Sequence, residues 1–353
     1  MSPLIAQNPN NRVILGLMTF GPDEKTGARI TDVVEFGKIL DVFQGRGYTE
    51  VDTARVYVGG KQEAFTGEAD WQKRGLTLAT KVRYPMQAGD NAADKAVASV
   101  ETSLKDLGTD KVDILYLHAP DRSIPFTETL AAIDQLHKAG KFVNFGISNF
   151  AAFEVAEIVM TCKQNGWVRP TVYQAMYNAI TRGIEPELLP ACRRYGLDVV
   201  AYNPLAGGLF SGKVKSKDMV PAEGRFSDSS AAMGKLYRNR YFKDSTFGAL
   251  KTVEEAIERH PGLTLIETAL RWIVHHSALK PACRGGNDGI IIGVSSGAQL
   301  EDNLNNLEKG PLPEDVVNAL DEAWAIAKGE TANYIHGEID YKYNTREALF
   351  GKK

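Results

Sequence analysis

The chain of 353 residues has only three cysteines, Cys162, Cys192 and Cys283, and no Cys-x-x-Cys pair. That scarcity argues against a disulfide framework or a cysteine zinc site and fits the reduced thiols of a cytoplasmic protein. No apolar run approaches the ~18 residues of a membrane span. The opening MSPLIAQNPNNRVI lacks the basic start and apolar stretch of a secretory signal. An excess of either charge is missing too: 41 Lys and Arg stand against 44 Asp and Glu, for a net charge of -3. With no basic block, neither nucleic acid nor a membrane is an expected partner. Glycine is plentiful, yet ILGLMTFGP, the first strand-like run and its turn, has Gly16 and Gly21 without G-x-G-x-x-G spacing. This counts against a doubly wound dinucleotide-binding sheet, the runner-up architecture.

What is present is alternation. Eight short runs read as strands: residues 13–17, 48–52, 76–81, 111–118, 142–148, 171–176, 197–203 and 289–294. Several are continuous apolar stretches, as expected of parallel strands buried on both faces. Helical periodicity fills most gaps. In the first helix Val33, Val34, Phe36, Ile39, Leu40 and Phe43 recur near a 3.6-residue period, behind Thr31 or Asp32 as the cap. Eightfold strand–helix alternation predicts an α/β chain folded as a (β/α)8 TIM barrel. Its active site then lies at the C-terminal ends of the strands. Residues 1–353 read as one domain, with a core at about 12–328 and a C-terminal tail at 329–353 that either lies over the barrel or is mobile. The stretch 205–262, between strands seven and eight, is polar and too long for a simple connection, so it is expected to be a long active-site loop.

Four ionisable groups stand at or just after three successive strand ends: Asp52 and Tyr57, Lys81, and His118. In a barrel they converge on one mouth. A phenol, with a pKa near ~10, exchanges protons poorly at neutral pH, and a neighbouring ammonium favours its ionised form. An aspartate holds that ammonium in place, and a histidine orients a substrate oxygen. The set suits a general acid for a carbonyl receiving a hydride.

With EVDTARVY, LATKV, DILYLHAP, GISNF, YQAMYN and AYNPLAGGLFSGK in this order, the chain resembles the aldo-keto reductase superfamily. NPLAGGL, GRF and YRNRYFK point to the aflatoxin-aldehyde reductase (succinic semialdehyde reductase-like) branch. The resemblance implies NADPH-dependent reduction of aldehydes, extending to ketones, with Tyr57 as proton donor, Lys81 lowering its pKa, Asp52 supporting Lys81 and His118 orienting the carbonyl. For the cofactor (NADPH/NADP+) it implies Ser148, Asn149 and Gln174 on the carboxamide and Tyr202 stacked on the nicotinamide. Asn203, Pro204, Leu205, Ala206, Gly207, Gly208 and Lys213 would meet the pyrophosphate. Gly293, Ser295, Ser296, Gln299 and Asn303 would meet the adenosine phosphate. Ser295 stands where many relatives carry Arg or Lys, and Arg225 is the candidate for the missing charge. Met18, Phe20, His118, Tyr237 and Arg240 are the expected substrate contacts. The partner is a small-molecule carbonyl compound, and homodimers are common in the branch. Two alternatives stay open: a cofactor-binding regulator resembling potassium-channel β-subunits, and a pathway-specific reductase of secondary metabolism.

Two further motifs carry less. GGLFSGK ends in Val214 rather than Ser or Thr and so misses the P-loop pattern. His275 and His276 lack carboxylate or thiolate company, so no metal is expected and a helix C-terminal charge is their assigned role.

Overall fold

The computed structural model describes residues 11–228 and 231–351. Eight parallel strands close in sequence order into a barrel. They are β1 (Arg12–Gly16), β2 (Glu50–Asp52), β3 (Thr77–Lys81), β4 (Val112–Leu117), β5 (Phe142–Ser148), β6 (Val172–Met176), β7 (Asp198–Tyr202) and β8 (Gly289–Gly293). Each coincides with one of the runs read from sequence.

Strand parity decides what faces inward, because side chains alternate along a strand. Ile14, Ala79, Ile114, Tyr116, Val172, Val200 and Ile291 form one buried cluster inside the barrel. Their neighbours Val13, Leu15, Leu78, Leu115, Val199 and Ile290 belong to the larger core shared with the helices. At the N-terminal end the inward residues are Arg12 and Glu50, joined by two 2.7 Å hydrogen bonds. Tyr116 crosses the middle of the barrel over Gly146. A β-carbon on Gly146 would come within 2.4 Å of that ring, so the position tolerates no side chain. Two residues further up, the same inward parity falls on Asp52, Lys81, His118, Ser148, Gln174, Tyr202 and Gly293.

The outer ring begins with α1 (Val33–Gly45), capped by Asp32, whose side chain accepts from Val34 N at 2.7 Å. It buries Phe36, Ile39, Leu40 and Phe43. The ring continues through α2 (Gln62–Glu68), α3 (Ala93–Leu107), α4 (Phe126–Lys138), α5 (Ala152–Asn165) and α6 (Leu188–Tyr195). The 205–262 stretch departs from the expected loop. It contains a 3-10 turn over Ala206–Ser211 and two helices, α7 (Ala231–Tyr241) and α8 (Asp244–Ile257). Thr246, Ala249, Leu250, Val253 and Ala256 make α8 one-sided, and its chief helical neighbour is α11 (Glu314–Ala327). Between them come α9 (Leu265–His275) and α10 (Gly297–Leu307), and a short α12 (Thr345–Phe350) follows.

The tail lies over the barrel. Arg122 grips it, donating to the carbonyls of His336 at 2.7 Å and Glu338 at 3.2 Å while holding Glu154 at 2.6 and 2.8 Å. Tyr341 donates to the same Glu154 at 2.7 Å, and His336 N donates to the carbonyl of Asn149 at 3.0 Å. His276 is not a helix-end charge: its Nε2 accepts from Leu312 N at 2.9 Å, which requires that nitrogen unprotonated, whereas His275, in the last turn of α9, donates to the carbonyl of Lys309.

Candidate active site

At the C-terminal mouth Lys81 is fully buried. Its ammonium donates to Asp52 Oδ1 and to the carbonyl of Thr53, each at 2.5 Å, and reaches the Tyr57 hydroxyl at 3.4 Å. Gln174 supports Asp52 from across the barrel, Nε2 to Oδ2 at 2.8 Å. Burial raises the Asp52 pKa and lowers that of Lys81, while each partner's charge opposes the shift. His118 stands edge-on to Tyr57, ring centroids 5.9 Å apart. Burial, with the charge of Lys81 behind it, holds the His118 pKa well below the usual value, so the ring is neutral. Its Nδ1 is buried and has no hydrogen-bond partner among the described residues.

One expectation needs correction. The Tyr57 pKa is raised well above 10, chiefly by burial and then by the charge of Asp52, with Arg225 opposing. The ammonium of Lys81, 3.4 Å away, does not offset that burial. The phenol is therefore held protonated, which is the form a general acid needs.

Beside this tetrad lies a connected polar layer. Ser148 Oγ donates to the carbonyl of Gln174 at 3.0 Å. Asn149 Nδ2 donates to the His118 carbonyl at 2.8 Å and to Ser148 Oγ at 2.9 Å, and Tyr202 donates to Asn149 Oδ1 at 2.8 Å. After β7 the backbone turns left-handed at Asn203 (φ 65°), Ala206 (φ 49°), Gly207 (φ 70°) and Gly208 (φ 103°). Asn203 Oδ1 accepts from Gly207 N at 2.5 Å and steadies the turn. A β-carbon on Gly208 would meet nothing within 4 Å, so that backbone is open to a ligand. Pro204 and Leu205 lead into the turn, and Lys213 beyond it is exposed. After β8, Ser296 caps α10, Gln299 Oε1 accepts from Ser295 N and Oγ at 3.0 and 2.9 Å, and Asn303 is buried on the helix.

The substrate-side assignments divide. Arg225 and Arg240 both stack on Tyr237, their guanidinium carbons 5.7 and 5.4 Å from the ring centre. Among the described residues neither arginine forms a salt bridge. Met18 is half-buried just after β1. Phe20 does not line the mouth: it is fully buried, with its ring 4.7 Å from Phe36 of α1. The sequence reading assigned no site role to Tyr84 or His336. Tyr84 sits edge-on to His118, centroids 5.3 Å apart, and its hydroxyl bonds His336 Nδ1 at 3.2 Å. His336 Nε2 reaches the Tyr202 hydroxyl at 3.4 Å. Tyr84 had a sequence signal, three residues past Lys81 on the same turn. His336 had none, because only the folded tail brings it there.

Burial and the charge of Arg240 lower the His336 pKa from 6.5 to about 4. The unfolded chain thus binds the extra proton between those values. The stability that this neutral ring contributes is complete above pH 6.5 and falls as the pH drops toward 4, with a slope approaching 1.4 kcal/mol per pH unit, roughly one proton's worth. His336→Gln is expected to flatten the acid limb by that slope, read from urea midpoints at pH 7, 6 and 5. An unchanged limb would contradict the buried neutral ring.

A (β/α)8 barrel with a buried Asp–Lys pair, a protonated phenol and a neutral histidine at its mouth defines an oxidoreductase of the barrel class. The match to the aldo/keto reductase family model runs over residues 12–325, and the chain belongs to that family. It is 44% identical over 325 residues to mouse aflatoxin B1 aldehyde reductase member 2, covering 87% of each chain. It is 43% identical over 329 residues to human aldo-keto reductase family 7 member A3, covering 91% of this chain and 96% of that one. An aldo-keto reductase of Pseudocercospora fijiensis is 42% identical over 299 residues, 84% of this chain and 99% of its own.

Proposed function

We propose that this protein reduces aldehydes, and secondarily ketones, to alcohols with NADPH, Tyr57 giving the proton. The observation that carries the reading is the half-buried, protonated Tyr57 hydroxyl beside the Lys81–Asp52 pair and facing a neutral His118. A carbonyl oxygen between Tyr57 and His118 accepts the phenolic proton as negative charge develops on it. Lys81, 3.4 Å from the phenol, stabilises the phenolate left behind. Asp52 keeps Lys81 charged, and Gln174 keeps Asp52 in register. The bound cofactor supplies the hydride to the carbonyl carbon.

The residues present fit that cofactor. Ser148, Asn149 and Gln174 offer donors and acceptors for a carboxamide, and Tyr202 offers a ring face. The left-handed turn over 203–208, open at Gly208, lets backbone come close to a pyrophosphate, with Lys213 nearby in sequence. Ser295, Ser296, Gln299 and Asn303, following Gly293, would meet the adenosine end at the start of α10. Arg240, without a carboxylate partner among the described residues and set among Tyr84, Tyr202, Tyr237 and His336, favours flat aldehydes that carry a carboxylate. The relatives named as aflatoxin B1 aldehyde reductases agree with aldehyde as the substrate class.

The test is steady-state turnover of 4-nitrobenzaldehyde and 2-carboxybenzaldehyde with NADPH and with NADH. Many turnovers per site are expected. A single oxidation of bound cofactor would instead support a regulatory, cofactor-binding role. Arg225→Ala is expected to raise the KM for NADPH about tenfold, the loss of one charge-assisted contact, and the KM for NADH less than twofold. Equal rises would remove the 2′-phosphate role.

A further inference from the structure

The turn that carries Tyr57 from β2 into α2 is built on unfavourable backbone. Val58 is left-handed at φ 50°, ψ 47°, and Gly59 (φ 62°) and Gly60 (φ 85°) extend the run. For a β-branched residue this is an outlier, and it persists only where the surroundings over-determine it. Two contacts do so here. The Val58 side chain is buried against Gly21, where a β-carbon would come within 2.9 Å of Val58 Cγ1. From the other side, Arg55 Nη2 donates to the carbonyl of Gly60, bridging the turn from start to end.

Arg55 is itself anchored. Its Nη1 lies 2.7 Å from Glu63 Oε2 on α2 and donates to Asp106 Oδ2 on α3 at 2.5 Å. Glu63 is fully buried, and its other oxygen accepts from Thr80 Oγ1 at 2.6 Å. Thr80 immediately precedes Lys81 on β3. At the start of the turn Thr53 bonds Gln62 through its hydroxyl and takes the Lys81 ammonium on its carbonyl. One chain of polar contacts thus ties the left-handed turn to the strand that carries Lys81.

We infer that Arg55 is a positioning residue for the carbonyl reduction: by holding the strained Val58–Gly60 turn closed, it sets the Tyr57 hydroxyl against Lys81 and the substrate oxygen. Arg55 acts through Tyr57 without touching the reacting atoms. The inference rests on the proposed role of Tyr57. Misplacing a reacting group by about 1 Å costs up to a hundredfold in rate, so the effect belongs in kcat.

The experiment compares Arg55→Gln, Arg55→Lys and Asp106→Asn with the wild type. In Arg55→Gln, kcat for 4-nitrobenzaldehyde falls on the order of tenfold or more, while the cofactor Kd, read by fluorescence quenching, and the aldehyde KM stay within about twofold. Arg55→Lys keeps the charge but cannot span Gly60 and both carboxylates, and it falls between the two. Asp106→Asn, at the more exposed end, keeps an acceptor and keeps kcat even where its melting temperature drops. A crystal structure of Arg55→Gln, or of Arg55→Lys should the first not fold, shows the Tyr57 hydroxyl out of reach of Lys81. The inference is overturned by kcat within twofold in both Arg55 variants, by an equal loss in Asp106→Asn, or by an unmoved Tyr57. A wild type that turns over no aldehyde sinks the functional reading alone, since the crystal structure still decides whether Arg55 places Tyr57.

Discussion

Tyr57→Phe abolishes measurable aldehyde reduction, a loss of about 10²- to 10⁴-fold, the usual contribution of a general acid, and leaves NADPH binding near normal. The substitution removes one oxygen from a half-buried ring. The ring keeps its place beside Lys81, 4.9 Å from the ammonium, and edge-on to His118. The polar layer of Ser148, Asn149, Gln174 and Tyr202 is bonded through its own members and not through the phenol. The expected signature is therefore a fall in kcat with an unchanged cofactor Kd. Turnover within tenfold of the wild type would sink the proton-donor assignment.

Lys81→Met has the second large effect, on stability as well as rate. It leaves the Asp52 carboxylate 3% exposed with Gln174 as its remaining strong donor. Breaking a buried pair from one side costs about 3–5 kcal/mol. The sign of the pH dependence follows from burial, which already raises the Asp52 pKa even with Lys81 present. In the variant the folded value lies above the unfolded one, so stability is retained at low pH and lost as the pH rises through the folded value. Lys81→Met should thus lie closer to the wild type at pH 5 than at pH 8. Adding Asp52→Asn should restore much of the stability and none of the turnover. Chemical denaturation at the two pH values reads the first point and steady-state kinetics the second. A single variant equally stable at both would show that the carboxylate is not isolated.

How much of this was legible in the sequence depends on which signals are local. The strands were, because a parallel strand buried on both faces must be an apolar run, and the polar residue ending such a run stands out. Inward parity then placed Asp52, Lys81, His118, Ser148, Gln174 and Tyr202 together. The α8 helix was also written locally, in the spacing of Ala249, Leu250, Val253 and Ala256, but the polar residues before it masked the pattern. Phe20 was misassigned because proximity to a strand end does not say which way a ring turns. The direction of the Tyr57 shift was misjudged because sequence names the neighbouring charge without the burial that outweighs it. His336 lies 252 residues from Tyr84 along the chain, and no short-range pattern reports such a meeting.

The proposed chemistry and the proposed substrate contacts come from different parts of the barrel. Asp52, Lys81, His118 and Gln174 stand at strand ends, while Tyr237 and Arg240 come from the excursion after β7 and His336 from the tail. Selection can therefore rewrite the guest list without touching the reaction. A chimera exchanging residues 231–262 and 329–353 with a homologue should inherit the donor's tastes and keep the host's chemistry.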